Sequence, residues 1–377
     1  MKVSCLQENL AKGLSIVSRA VAARSTLPVL GNILLATENG RLRLSATNLE
    51  LGITCWVGAK IEEEGSTTVP AKTFVDLVNT LPQDHVNLDL TVRTQTLNLV
   101  CGRTQAHLKG IDAQEFPLIP AADLENSLEL NVEDFKEMIN QVAFAAATDE
   151  ARPILTGVLA KIDGSTLTLQ AADGFRLAVR TASLSNAPAD PVNAVIPARA
   201  LSELARIIGS DEPVYMNLPP NRGQAIFHHG NVELVSQLIE GNFPDLNAVI
   251  PKKYTTRAIL PTDEFRKACR TSDIFAREAA HTARLKIKPG TELTPGHVSI
   301  SATSAETGDN VAEIDATVEG AAMEIAFNVK YLVDVLNVID TPNVALETTA
   351  ATSPGVVRPM SSNDNYLYVC MPMHLSK

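Results

Sequence analysis

Few residues in this chain stand where type and spacing could carry covalent chemistry. His228-His229 is an adjacent pair, but on a strand its members point to opposite faces, so joint metal ligation is not expected and both are expected to pack toward solvent. Asp173-Gly174-Phe175-Arg176 sets a carboxylate beside a guanidinium, yet Asp-Gly is first a turn signal. Glu62-Glu63-Glu64 reads as a solvated loop. Cys5, Cys55, Cys101, Cys269 and Cys370 are scattered singly with no Cys-x-x-Cys, the pattern of reduced core thiols in cytoplasm. No phosphate-binding loop, dinucleotide fingerprint, zinc-protease helix motif or nucleophile elbow occurs. No catalytic residue, metal site or cofactor is therefore expected, and the chemistry to look for is non-covalent.

The elements that would position a binding surface recur. The order helix, alternating strand, Pro- or Asn-led second helix appears three times at a spacing of about 130 residues. Its landmarks are Leu42/Leu44/Ala46 then Pro70, Leu167/Leu169/Ala171 then Pro197, and Val298/Ile300/Ala302 then Asn328. In the first two strands these apolar residues share one face, and turns are marked by Asn39-Gly40, Asp163-Gly164 and Gly230-Asn231. The fold class is α+β: three similar domains, each with two helices packed on antiparallel sheets, rather than a doubly wound sheet. Boundaries at the Pro-rich joints give domains at 1–121, 122–252 and 253–377, with 186–191 a loop inside the second.

The chain has 377 residues, 45% of them hydrophobic, with 32 Lys+Arg against 43 Asp+Glu. That composition excludes disorder, and the longest apolar runs fall short of the ~20 residues a membrane helix needs. The N-terminus leads into polar sequence, so export is not expected. A net charge of −11 argues on its face against nucleic acid, but the charge is segregated. The six predicted helical stretches (7–24, 72–80, 133–147, 198–209, 263–277, 329–340) hold 12 basic and 11 acidic residues, leaving 20 against 32 elsewhere. Lys12 and Arg19 share a helix face opposite Leu10, Leu14, Val17 and Val21; Arg199 and Arg206 repeat the spacing opposite Leu201, Leu204 and Ile208. Arg266, Arg270 and Arg277 line up, with Ala268 and Phe275 pointing away; Lys72, Lys136 and Lys330 mark the other helices. Three basic stripes on equivalent helices point to a shared anionic partner, held through its phosphates without regard to sequence.

Several words in the chain carry a specific resemblance over its whole length: 24–32 (RSTLPVLGN), 67–71 (TTVPA), 171–178 (AADGFRLA), 241–245 (GNFPD), 327–336 (FNVKYLVDVL) and 371–375 (MPMHL). In these the chain resembles the family of bacterial DNA polymerase III β subunits, the sliding clamps. The resemblance implies a DNA-clamp fold: a head-to-tail homodimeric ring, pseudo-sixfold, around duplex DNA. It also implies a processivity role without catalysis, a clamp loader that opens the ring, and docking of the DNA polymerase III α subunit and other proteins with a clamp-binding motif. Carried over by position, the docking groove is Leu155, Ala172, Gly174, Phe175, Arg176, Leu177, Pro244, Val249, Pro354, Val369, Met371, Pro372 and Met373. In it, Met and Leu would pack adaptably around apolar anchors while Arg176 supplies polar orientation. DNA contacts fall on Arg24, Lys72, Lys12, Arg152, Arg199, Arg206, Arg266 and Arg270, and the subunit joint on Leu108, Ile274 and Phe275. The chain departs from the family's common residues at Phe175 (often His or Tyr), Ala172 (Thr), Ala248 and His374 (Arg) and Ala106 (a larger residue), which implies an altered peptide preference and a weaker joint. Two other readings stay open at this point: a triplicated α+β enzyme or metabolite-binding protein with an unrecognised site, and a clamp paralogue with a resistance role.

Overall fold

The computed structural model describes residues 1–186, 188, 190–209, 211–219, 223–361 and 365–374. Ala187 and Ala189 of the expected loop, and Leu375 of the final resemblance word, lie outside the described residues. Six α-helices are present among them: α1 (Gln7–Val17), α2 (Ala71–Thr80), α3 (Val132–Val142), α4 (Ala198–Ile207), α5 (Thr262–Ala276) and α6 (Val329–Leu336). They fall as two per repeat, each followed by several strands, and every strand pairing is antiparallel.

The chain forms two compact units, Met1–Glu133 with Glu203–Leu238, and Asp134–Ser202 with Ile239–Lys377. The first unit holds two sheets. One has the spatial order Lys60–Glu63, Lys2–Leu6, His85–Thr91, Thr96–Cys101, Thr104–Lys109. The other runs Leu128–Leu130, Val214–Asn217, Gln224–His229, Val232–Gln237, Leu51–Gly58, Arg41–Thr47, Asn32–Glu38, Ser66–Pro70. The second unit holds one twelve-stranded sheet: Val192–Pro197, Gly157–Asp163, Thr166–Ala172, Arg176–Ser183, Tyr366–Cys370, Gly355–Pro359, Asn343–Thr348, Thr256–Pro261, Gly308–Gly320, Gly296–Ser304, Thr282–Lys288, Met323–Asn328. Units and repeats partition the chain differently because strands pair across repeats. Leu234 faces Ile53, and Leu177 faces Val369, so a backbone ladder, not a linker, joins successive repeats.

Local chemistry explains the elements. Asn39 and Gly40 both take positive φ (50° and 73°), as a two-residue hairpin between Glu38 and Arg41 requires. Pro70 is the N-cap of α2, and Asn328 caps α6 by accepting a hydrogen bond from the Lys330 backbone N–H at 3.1 Å. Leu42, Leu44 and Ala46 are buried as the alternation predicts, and so are Leu167, Leu169 and Ala171. Ser45, on the other face, is buried as well and bonds the Thr54 hydroxyl at 3.0 Å. The acidic run is not a free loop: Glu62 and Glu63 end an edge strand, and Glu62 pairs with Lys2 at 3.0 Å. An edge strand tolerates such charges, and they discourage pairing with a further strand.

Helix α1 buries Leu10, Leu14 and Val17 completely, and the buried Gln7 amide donates to the Val78 carbonyl of α2 at 2.8 Å. Leu14→Ala is expected to lower unfolding free energy by about 2–5 kcal/mol through lost transfer and a residual cavity. A chemical-denaturation midpoint shift with unchanged slope would show it.

Candidate docking groove and basic helix faces

The groove is built on the twelve-stranded sheet where the second repeat pairs with the third. Ala172 faces Leu177, Leu177 faces Val369, and Val369 faces Val356, so one transverse row of apolar side chains crosses four strands. Val179 and Leu367 form the next row. These residues make one hydrophobic cluster, over which Leu246 and Ile250 of the connecting segment pack. Ala172, Leu177 and Val369 are therefore the buried floor; Leu155 is also buried, while Pro244 and Val249 are exposed. Pro354 is half-buried at the start of the Val356 strand. Position matching missed Val356, Leu246, Ile250 and Leu367. The strand alternation around Gly355-Val356-Val357 carried a signal for the first, but cross-strand register was needed to place it.

A tight turn links Thr166–Ala172 to Arg176–Ser183. Asp173 Oδ1 accepts from the backbone N–H groups of Phe175 (2.8 Å) and Arg176 (3.0 Å), and Gly174 adopts φ +94°. A Cβ on Gly174 would stand 2.7 Å from Arg152 Nη1, and Arg152 donates to the Asp173 carbonyl at 2.8 Å. The turn lifts Phe175 into solvent, 58% exposed, and the Phe175 carbonyl accepts from the Met371 N–H at 2.8 Å. Met373 N–H donates to the Ala326 carbonyl at 2.8 Å, and Pro372 pairs with Phe327. Phe175, Met371, Pro372 and Met373 thus border a cleft of about 1150 Å³.

Arg176 is engaged within the protein. Adjacent strand residues point to opposite faces, so Leu177 faces the groove and Arg176 faces the helices behind it. There Nε meets Asp173 Oδ2 (2.9 Å), Nη1 meets Asp334 Oδ2 of α6 (2.6 Å) and Nη2 donates to the Phe144 carbonyl (3.0 Å). Its guanidinium also lies over the rings of Tyr331 (4.4 Å) and Phe144 (5.5 Å). Tyr368, stacked on Phe144, donates to the Tyr331 carbonyl at 3.0 Å, and burial pushes its phenol pKa well above the usual range. Arg176 is a lock that holds turn, helix and sheet together, each of its three nitrogens donating to a partner within the protein.

The basic residues divide in the same way. Lys12, Arg24, Lys72 and Arg199 are exposed, with no ion-pair partner among the described residues. Arg206 is exposed but pairs with Glu203 at 2.7 Å, and Arg19 shares that carboxylate at 2.9 Å from a 3-10 turn beyond the end of α1. Arg266 is half-buried, paired with Asp263 and donating to the Leu336 carbonyl at 3.2 Å, where it caps α6. Arg270 is exposed and bonds Asn337 Oδ1 at 2.6 Å. Arg152 lies on no helix face, being spent on the Asp173 turn. Of the residues named for the subunit joint, Ile274 is 57% exposed and Phe275 half-buried, whereas Leu108 is buried within its own unit by strand pairing with Leu97.

The remaining candidates for chemistry are structurally committed. His229 Nε2 accepts from the Gly209 N–H at 3.0 Å, so its proton lies on Nδ1, 3.4 Å from the Pro213 carbonyl, and His228 Nδ1 is 3.3 Å from Glu233. Both histidines are half-buried instead of facing solvent. All five cysteines are free and buried; burial pushes the Cys5 and Cys370 thiols up to about 12 and Cys55 to about 11. Among the described residues no group of three His, Cys, Asp or Glu could hold a metal ion, and no helix is long and apolar enough to cross a membrane.

These features define a three-repeat, antiparallel α+β protein with an apolar groove on a sheet shared by two repeats. Comparison with known proteins agrees. Family models for the N-terminal, central and C-terminal domains of the DNA polymerase III beta subunit match residues 1–120, 129–245 and 247–374. The chain is 33% identical over 382 residues to the beta sliding clamp of Synechococcus elongatus, all of each chain being covered. It is 32% identical over 364 residues to that of Staphylococcus aureus, with 94% of each covered. Among solved structures, the DNA polymerase sliding clamp of Bacillus subtilis superposes with a TM-score of 0.93 at 29% identity, and the Pseudomonas aeruginosa clamp bound to griselimycin with 0.91 at 30%, both over the full length of each chain. The chain belongs to the DNA polymerase III beta subunit family.

Arg176→Met should cost about 2–4 kcal/mol of unfolding free energy, because Asp173 and the partly exposed Asp334 lose their counter-ion. Near-ultraviolet circular dichroism from Tyr331 and Tyr368 should change with it, and a neutral result would remove the lock.

Proposed function

We propose that this chain is a sliding clamp, a processivity factor that encircles duplex DNA and tethers the replicative polymerase to it. Two copies would join head to tail, each supplying three domains at 1–121, 122–252 and 253–377, into a ring with Ile274 and Phe275 at the joint. The observation that carries this reading is the ordered match of three beta-subunit domain models across nearly the whole chain.

The physical content is topological. Lys12, Arg24, Lys72 and Arg199, free of carboxylates, would meet phosphates through screened, sequence-blind attraction, and the weakness of such contacts lets a ring slide. The acidic remainder of the chain repels nucleic acid elsewhere. Arg270 would add to the free set once Asn337 yields, whereas Arg152, Arg206 and Arg266 are held by other partners and contribute less. A tethered polymerase that lets go rebinds before it diffuses away, which is an effective-concentration gain and needs no catalysis by the clamp itself. The DNA polymerase III α subunit, a clamp loader and other motif-bearing proteins would dock by short peptides in the groove floored by Leu177 and Val369 and rimmed by Phe175, Met371 and Met373. Apolar floor, backbone edge and adaptable methionines are the features peptide grooves share. Such a protein works in the cytoplasm.

The protein should elute near twice 40.4 kDa and remain on nicked circular DNA but run off the same molecule once linearised. Equal retention on both forms rejects encirclement. Met371→Ala with Met373→Ala should weaken binding of a polymerase-derived peptide several-fold while leaving the thermal midpoint within a few degrees; unaltered affinity would move the docking site off this groove.

A further inference from the structure

The cleft bordered by Phe175 and Met371–Met373 continues over the outer face of the third repeat's sheet. Strand Thr282–Lys288 alternates strictly: Ala283, Leu285 and Ile287 are buried, and Arg284, Lys286 and Lys288 share the other face. Arg284 and Lys286 line the cleft together with the Met371–His374 segment. At about 1150 Å³ the cleft exceeds the room that a few apolar anchors fill, so part of it is available to flanking residues.

The charge on this ledge is unbalanced. One carboxylate, Glu324, serves both cations, at 3.1 Å from Arg284 Nη1 and 3.9 Å from Lys286 Nζ, and all three side chains are nearly half exposed. One net positive charge and most of the guanidinium donors remain open to the cleft. On the adjoining strand Ser301 stands opposite Arg284 and Ser299 opposite Lys286, so no acid faces the cations from that side. The next acids, Glu313 and Asp315, lie one strand further out, opposite Ser299 and His297.

We propose that Arg284 and Lys286 form a specificity subsite that receives aspartate or glutamate side chains flanking the apolar anchor of the docked peptide. The occupant follows from charge complementarity and from the rim residues Phe175, Met371 and Met373, which line the same cleft as Arg284 and Lys286. The inference rests on that groove being the peptide site. A carboxylate arriving here competes with Glu324 for the two cations and gains charge-assisted hydrogen bonds from Arg284, while Glu313 and Asp315 stand two strands away. The subsite discriminates among partners more than it strengthens all of them, because half-exposed pairs are screened.

The test uses the full-length protein and three labelled synthetic peptides with one Leu-Leu-Phe anchor, flanked by four glutamates on the N-terminal side, four on the C-terminal side, or glutamines on both. One acidic probe is expected to bind about three- to tenfold more tightly than the glutamine probe at low salt, with the advantage shrinking as salt rises. Arg284→Ser with Lys286→Ser should abolish that advantage and leave affinity for the glutamine probe within about twofold. The inference falls if neither acidic probe is preferred, or if the preference survives the double substitution. It falls too if that variant instead loses retention on nicked circular DNA, which would assign the ledge to nucleic acid. Should the glutamine probe bind and respond to Met371→Ala while acid makes no difference, the ledge alone is refuted. Should no probe bind the unmodified protein, the groove reading fails and this inference with it.

Discussion

The antiparallel ladder between Arg176–Ser183 and Tyr366–Cys370 is the constraint on which the groove depends. It brings the second repeat and the third into one sheet, and its two-residue period sends alternate side chains to opposite faces. On one face the period delivers Leu177 and Val369 to an apolar row; on the other it delivers Arg176 and Tyr368 to the helices. A one-residue slip would exchange the two sets, placing a guanidinium on the groove floor and leucine against Asp334. The ion pairs of Arg176 oppose such a slip, since breaking them strands carboxylates in a partly buried setting. The same lock explains why the Asp173 turn can hold Phe175 out in solvent without losing its shape.

Electrostatics supplies the second theme. A guanidinium visible in the sequence is not a guanidinium available to a ligand. Arg152, Arg176, Arg206 and Arg266 each already have a partner in the chain, in a turn, a lock, a helix surface pair and a helix cap. Lys12, Arg24, Lys72 and Arg199 have no ion-pair partner among the described residues. Counting charge along helices names candidate stripes, but hydrogen-bond geometry decides which members of each stripe can exchange water for phosphate. The cation row on Thr282–Lys288 escaped that count because it sits on a strand, where the relevant spacing is two and not seven.

Much of this is legible in the sequence. Alternation at Leu42/Leu44/Ala46 and Leu167/Leu169/Ala171 gave strands with the correct buried face, and Pro70 and Asn328 marked helix starts. Those features are local: a period of two, a missing N–H or a capping amide acts within a few residues of itself. The triplication and the family resemblance followed from the order of short words along the chain.

Pairing and partnership were not legible. Nothing adjacent to Leu177 announces Val369 or Val356 as its neighbours, and nothing adjacent to Arg176 announces Asp334, which lies 158 residues away. Leu108 reads as an apolar candidate for a joint, but cross-strand pairing buries it at home. The acidic run at Glu62 reads as loop, but Lys2 and the strand beside it make an edge. Sequence determines which residues prefer burial, turning or capping because those preferences are set by each residue's own covalent structure. Which face a strand presents to which partner, and which charge is neutralised by which, is decided only when distant segments meet, because register and ion pairing are properties of two chain segments at once.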